Sequence, residues 1–263
     1  MTFFKAEELT VEFGGIRALD HLSFEVKKGE IYSIIGPNGA GKTTIFNLIS
    51  RFYSPTLGCL FFEDQPITHL PPHQIAKLGI ARTFQNIELF GHATVLQNLM
   101  IGRHIYRKSN LLSELLFLPS VRKQEYAHRK KVEEVIELLE IQPLRDQYIA
   151  NLPYGSRKLV ELARALCLEP KLLLLDEPSS GLNPEETEDI SFWIEDINRE
   201  LGVTIMMIEH NMGLVSAVSH RVLAVHHGCF LAEGSPQEVQ HTSEVIRVYL
   251  GGGAHDTASS IEA

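Results

Sequence analysis

The stretch IYSIIGPNGAGKTTIFNLIS (31–50) constrains this chain more than any other. An apolar run of buried-strand length, IYSII, enters a glycine-rich turn, Gly36-Pro37-Asn38-Gly39-Ala40-Gly41-Lys42-Thr43, and leaves as a predicted helix, KTTIFNLISRFY (42–53). The turn fits GxxxxGK[ST], whose specified positions chance would match in on the order of one such chain in a hundred. Its strand–loop–helix setting is the one a phosphate-binding loop requires. Glycines let backbone N–H groups turn inward around phosphate oxygens, and the helix aims its positive end at the same anion. Lys42 can reach the β- and γ-phosphates of a nucleotide, and the Thr43 hydroxyl can ligate Mg²⁺.

Around this unit, strands alternate with helices. LTVEF (9–13), LSFEV (22–26) and CLFFED (59–64) read as short strands. LLLL (172–175) is a continuous apolar run suited to a central parallel strand, and VTIMMI (203–208) and RVLAVH (221–226) are further strands. The segment between is helical in pattern: Val132, Val135, Ile136 and Leu139 share one face, as do Leu159, Val160, Ala163 and Leu166. Asn183-Pro184-Glu185-Glu186 reads as a capping box opening another helix. The pattern predicts one doubly wound α/β domain over residues 1–250, interrupted by a helical subdomain at about 86–160, with a disordered tail at 251–263.

Composition narrows the function. A net charge of −9 argues against broad nucleic-acid binding. No stretch of about 18 apolar residues spans a bilayer, so any link to a membrane runs through a partner. Cys59, Cys167 and Cys229 form no CxxC pair and suggest neither a zinc site nor a disulfide framework.

Leu172–Leu175 runs into Asp176-Glu177-Pro178. A strand ending in two acids sets both carboxylates at the carboxyl edge of the sheet, where open α/β folds bind ligands. Asp176 is suited to hold Mg²⁺ and Glu177 to polarise an attacking water.

At this point the sequence resembles the ATP-binding-cassette (ABC) family over about residues 5–250. The motifs fall in the family's order: GPNGAGKTT (36–44), TFQ (83–85), LPYGSRKLVELARAL (152–166), LLLLDEP (172–178), SGLNP (180–184) and IEH (208–210). The resemblance implies a P-loop NTPase core with a parallel sheet, an antiparallel β subdomain and a helical subdomain. It also implies an ATPase using ATP and Mg²⁺, whose loop residues Gly36, Pro37, Asn38, Gly39, Ala40, Gly41, Lys42, Thr43 and Thr44 cradle the nucleotide. By position, Phe13 matches the ring stacked on adenine, and Gln85 the glutamine that touches Mg²⁺ and reports to the membrane subunit. His210 matches the switch histidine at the γ-phosphate. Leu152, Pro153, Tyr154, Gly155 and Ser156 match the signature loop, which faces the ATP of a second cassette in a head-to-tail dimer. Here the chain departs from Leu-Ser-Gly-Gly-Gln: Pro153 lacks both the serine hydroxyl and an N–H donor.

Within the family the sequence resembles the ATP-binding subunits of branched-chain amino-acid importers, through FGGIRAL (13–19), RTFQNIELF (82–90), GLNPEET (181–187), IEHNM and VIRVYLG (245–251). That resemblance implies membrane permease subunits, a second ATPase subunit, a periplasmic or extracellular substrate-binding protein, and a peripheral position on the cytoplasmic face of the membrane. Urea or short-amide import remains an alternative, as does a non-transport ABC ATPase acting on ribosomes or DNA. The stretch 102–131 is basic, with Arg103, Arg107, Lys108, Arg122, Lys123, Arg129, Lys130 and Lys131 against Glu114 and Glu125. Such a face suits either anionic headgroups or plain solvation.

Overall fold

A computed structural model describes residues 2–84, 87–106 and 119–251. The expectations resting on Gln85, Arg107, Lys108, Glu114 and the tail beyond Gly251 lie outside the described residues.

Two strands open the chain, β1 (Thr2–Phe13) and β2 (Ile16–Lys27), paired antiparallel. They run longer than the predicted five-residue segments because Glu8 and His21, at φ 49° and 50°, absorb irregularities in register without ending the ladder. β4 (Leu57–Phe62) and β5 (Gln65–Pro66) complete a four-stranded antiparallel sheet, ordered β2-β1-β4-β5. The predicted strand 59–64 is displaced toward its N-terminus. Glu63 and Asp64, at φ 48° and 60°, form the hairpin turn instead.

The second sheet has six strands: β3 (Ile31–Ile35), β6 (Ile80–Arg82), β7 (Leu172–Asp176), β8 (Thr204–Ile208), β9 (Arg221–His226) and β10 (Cys229–Gly234). Their order is β10-β9-β3-β8-β7-β6, parallel throughout except that β10 runs antiparallel to β9. Every residue of β3, β7 and β8 is buried, as expected of strands covered on both faces. Successive side chains divide between two cores. Tyr32, Ile34, Leu172, Leu174, Met206 and Ile208 pack with helix α1 (Lys42–Ile49) and the antiparallel sheet. Ile35, Leu173, Leu175, Ile205 and Met207 pack against helices on the other face.

α1 is shorter than the predicted helix. Arg51 enters the left-handed region at φ 62° and the chain folds back, so that Phe52 N–H reaches the Asn47 carbonyl at 2.8 Å. Tyr53 is thereby freed from the helix axis. After α2 (Pro72–Lys77) come α3 (Val95–Gly102), α4 (Pro119–Leu138) and α5 (Tyr154–Leu166). Their buried Val132, Ile136, Val160, Ala163 and Leu166 are the residues the helical spacing selects.

α6 (Pro184–Leu201) starts as read: Glu186 N–H donates to Asn183 Oδ1 at 2.9 Å, and Asn183 N–H donates to Glu186 Oε2 at 3.0 Å. Asn183→Ala removes one of these reciprocal bonds and is expected to cost about 1 kcal/mol. A urea-melt midpoint unchanged from wild type would contradict that assignment. α7 (Met212–Val218) connects β8 to β9, and α8 (Pro236–Gln240) and α9 (Ser243–Gly251) end the described chain.

Candidate nucleotide site

Because β3, β7 and β8 are parallel neighbours, the turns after them converge at one edge of the sheet. The first carries the phosphate loop, the second Asp176-Glu177, and the third Glu209-His210.

The loop is built on backbone conformations closed to most residues. Gly41 sits at φ 98°, and a Cβ there would stand 2.7 Å from the Ala18 carbonyl oxygen and 2.8 Å from Leu19 Cδ2. The buried Lys42 ammonium donates to the Gly36 and Pro37 carbonyls at 2.7 and 2.9 Å. Burial lowers its pKa, while the nearby charges of Glu177 and Asp176 oppose that shift. Thr43 is exposed at the start of α1, and Ala40 is buried beneath the loop.

Asp176 is almost wholly buried. Its Oδ2 accepts from Arg82 Nη2 at 2.7 Å, with side-chain exposures of 3% and 8%, so the pair is shielded from water. Arg82 also donates to Asn47 Oδ1 on α1 at 2.8 Å, tying the strand before Gln85 to the phosphate-loop helix. Breaking a pair this buried by removing one partner costs on the order of 3–5 kcal/mol, because the other charge stays behind.

Glu177 is the first residue beyond β7 and has φ 50°, a conformation non-glycine residues hold only when surroundings impose it. Its N–H donates to the Ile208 carbonyl at 2.9 Å, and its own carbonyl accepts from Lys158 Nζ at 3.3 Å. These contacts turn the side chain toward β8, where His210 Nε2 meets Glu177 Oε1 at 2.9 Å. A carboxylate only accepts, so the imidazole N–H donates.

Phe13 ends β1, half exposed and edge-on to Tyr53, with ring centroids 5.2 Å apart and planes at 71°. This leaves part of the aromatic surface open to solvent, the kind of surface on which a base can stack. In the segment Leu152–Ser156, Leu152 is buried and Pro153 precedes α5 as its N-cap. The Tyr154 ring lies over Gly181, and a Cβ on Gly155 would stand 2.4 Å from Glu186 Oε1. None of its hydrogen bonds reaches the phosphate loop among the described residues. It rests instead on the segment following Glu177.

The structure therefore brings Lys42, Asp176, Glu177 and His210 to one edge, while among the described residues no hydrogen bond links Leu152–Ser156 to the phosphate loop. Sequence reading missed Arg82, Tyr53, Lys158 and Glu209. The available signal was slight: a charged residue ending an apolar strand at Arg82 and Glu209.

Residues 19–180 match the ABC transporter family. The high-affinity branched-chain amino acid transport ATP-binding protein LivG of Escherichia coli (strain K12) is 40% identical over 243 residues, covering 92% of this chain and 95% of that protein. The solved ADP conformation of MJ1267, an ATP-binding cassette of an ABC transporter, superposes with a TM-score of 0.84 at 33% identity, covering 95% and 99%. The dimeric structure of MJ0796, a bacterial ABC transporter cassette, gives a TM-score of 0.73 at 25% identity, covering 89% and 99%. Matched by the family model over residues 19–180 and by LivG over 92% of its length, the chain belongs to the ABC transporter family as an ATP-binding, ATP-hydrolysing subunit.

Proposed function

We propose that this subunit powers import of branched-chain amino acids, through separate permease subunits, by closing head-to-tail with a second cassette around ATP. The observation that carries the chemistry is the Glu177–His210 contact at 2.9 Å, set where the turns after three parallel strands converge.

Phe13 stacks on adenine, and Gly36 through Thr44 surround the phosphates. On binding, Lys42 exchanges its carbonyl partners for β- and γ-phosphate oxygens, which offset its burial far better than neutral carbonyls do. Glu177 accepts a proton-side bond from water, aligning the water oxygen for attack on the γ-phosphorus as the bond to the bridging oxygen breaks. His210 holds the Glu177 carboxylate from one side through its Nε2–H, at the edge where the γ-phosphate lies in this reading.

The exposed Thr43 hydroxyl and the Asp176 carboxylate are hard oxygen donors, and Mg²⁺ favours one or two carboxylates together with substrate phosphates. These residues, with Gln85, would hold Mg²⁺, which supplies charge neutralisation for the phosphates. The salt bridge from Arg82 keeps Asp176 Oδ2 engaged and so fixes the direction of the other oxygen.

Dimerisation is supported by the signature segment, which makes no hydrogen bond to its own phosphate loop among the described residues and rests its Tyr154 ring over Gly181 instead. Its Gly155 and the N-terminus of α5 retain backbone donors for a phosphate, despite Pro153. No helix among the described residues is long and apolar enough to cross a membrane. The subunit attaches to the cytoplasmic face of the membrane through permeases, in a system served by a substrate-binding protein outside the cell. The solute is carried over from the printed role of LivG.

Uptake measurements test the solute. Cells lacking this chain should lose high-affinity uptake of radiolabelled leucine, isoleucine and valine, and regain it with the wild-type chain. Intact amino-acid uptake alongside lost urea or short-amide uptake would assign the subunit to the other system.

A further inference from the structure

The carboxylate of Glu209 is 2% exposed, yet no cation forms a salt bridge with it among the described residues. It is held by backbone N–H groups from two loops. Oε1 accepts from Ser179 N–H at 2.8 Å, in the segment just after Glu177. Oε2 accepts from His210 N–H at 2.9 Å and Asn211 N–H at 3.0 Å. These bonds close a ring. From Glu177 the chain runs through Pro178 to Ser179, crosses to Glu209, passes by one peptide bond to His210, and returns through the imidazole to Glu177 Oε1. Burial makes such a bond strong when formed and costly when one side is unmet.

We propose that Glu209 is a positioning residue for the Glu177–His210 pair, its carboxylate clamping the backbone after Glu177 to the backbone of His210 so that the two side chains stay in contact. The proposal rests on the roles given to Glu177 and His210 above. Only a carboxylate satisfies this site, because donors approach both oxygens. A glutamine in either orientation turns an NH₂ group toward at least one backbone N–H. The path of the chain at Glu177, with its φ of 50°, also depends on the anchored segment, since the N–H at 179 is held from the turn after β8. Glu209 touches neither nucleotide nor water in this scheme and acts through its neighbours.

A double-mutant cycle on the full chain tests this. ATP hydrolysis is measured for wild type, Glu209→Gln, His210→Ala and the double variant, in steady state and in a single turnover. Glu209→Gln should lower kcat by about tenfold or more, the effect of one unmet buried bond, with the KM for ATP within about threefold. In the His210→Ala background the same change should alter the rate by less than about twofold, as expected of residues acting as a unit. An unchanged kcat in Glu209→Gln overturns the proposal. So does an undiminished loss on top of His210→Ala, which leaves the role of His210 standing. Wild-type activity in His210→Ala alone removes His210 from the chemistry and the clamp's purpose with it. If Glu209→Gln does not fold, Glu209→Asp provides the same cycle. It keeps the charge but is shorter by about 1.5 Å, one carbon–carbon bond, and cannot reach both loops; additive losses there overturn the proposal equally.

Discussion

Replacing Glu177 by glutamine is expected to lower ATP hydrolysis by about 100- to 10,000-fold, the usual contribution of a general base, while leaving ATP binding within a few-fold of wild type. The substitution keeps size, and the amide oxygen still accepts from His210 Nε2, whose partner Oε1 lies 2.9 Å away. It removes only the ability to draw a proton-side bond from water strongly. Lys42 and Asp176 are untouched, so the phosphate site persists. The proposed dimer closes around ATP, which this variant binds but does not consume, so Glu177→Gln should accumulate as an ATP-bound dimer on size exclusion. Retained nucleotide binding separates this from plain misfolding, because a misfolded variant loses binding as well as hydrolysis. Normal steady-state hydrolysis would take Glu177 out of the base role.

The second large effect is expected within the phosphate loop. Gly41→Ala places a methyl 2.7 Å from the Ala18 backbone oxygen, at a φ of 98°; Leu19 Cδ2, at 2.8 Å, can swing aside, but the backbone oxygen cannot. The loop must move, and its inward N–H groups move with it. ATP affinity should fall by roughly 100-fold, the loss of about two charge-assisted bonds. Gly39→Ala is the control. It shares a positive φ, 80°, but nothing lies within 4 Å of its Cβ, so it carries only the left-handed penalty of about 1–2 kcal/mol. Affinity for a fluorescent ATP analogue distinguishes them. Equal losses in the two variants would mean that the loop's contact with Ala18 is unimportant.

That contrast marks where sequence reading stops. The motif specifies Gly41 and leaves position 39 open, but only the fold, by bringing Ala18 up to Gly41, shows what a side chain there would meet. The same division runs through the site. The phosphate loop, the Asp176-Glu177 strand end and the Asn183–Glu186 capping box are carried by residues within a few positions of one another, so the sequence exposes them. Arg82 reaches Asp176, and Glu209 reaches Ser179, across neighbouring strands. Their partners are set by strand order, β8-β7-β6, which no local pattern encodes. Tyr53 was absorbed into a helix by its apolar spacing, whereas Arg51 turns the chain out of that helix and toward Phe13. The departure at Pro153-Tyr154 was legible as a departure, but the seat of the Tyr154 ring over Gly181 was not.

The Ala18 carbonyl has one more implication. It crowds the Cα of Gly228 in the β9–β10 turn as well as that of Gly41, and the Gly228 N–H in turn donates to the Ala40 carbonyl at 3.0 Å. The antiparallel sheet is thus one wall of the mould in which the phosphate loop is cast. A cassette with its first two strands grafted from another protein would inherit a reshaped mould even with every loop residue kept, so the antiparallel sheet and the nucleotide loop are exchangeable between cassettes only as a matched set.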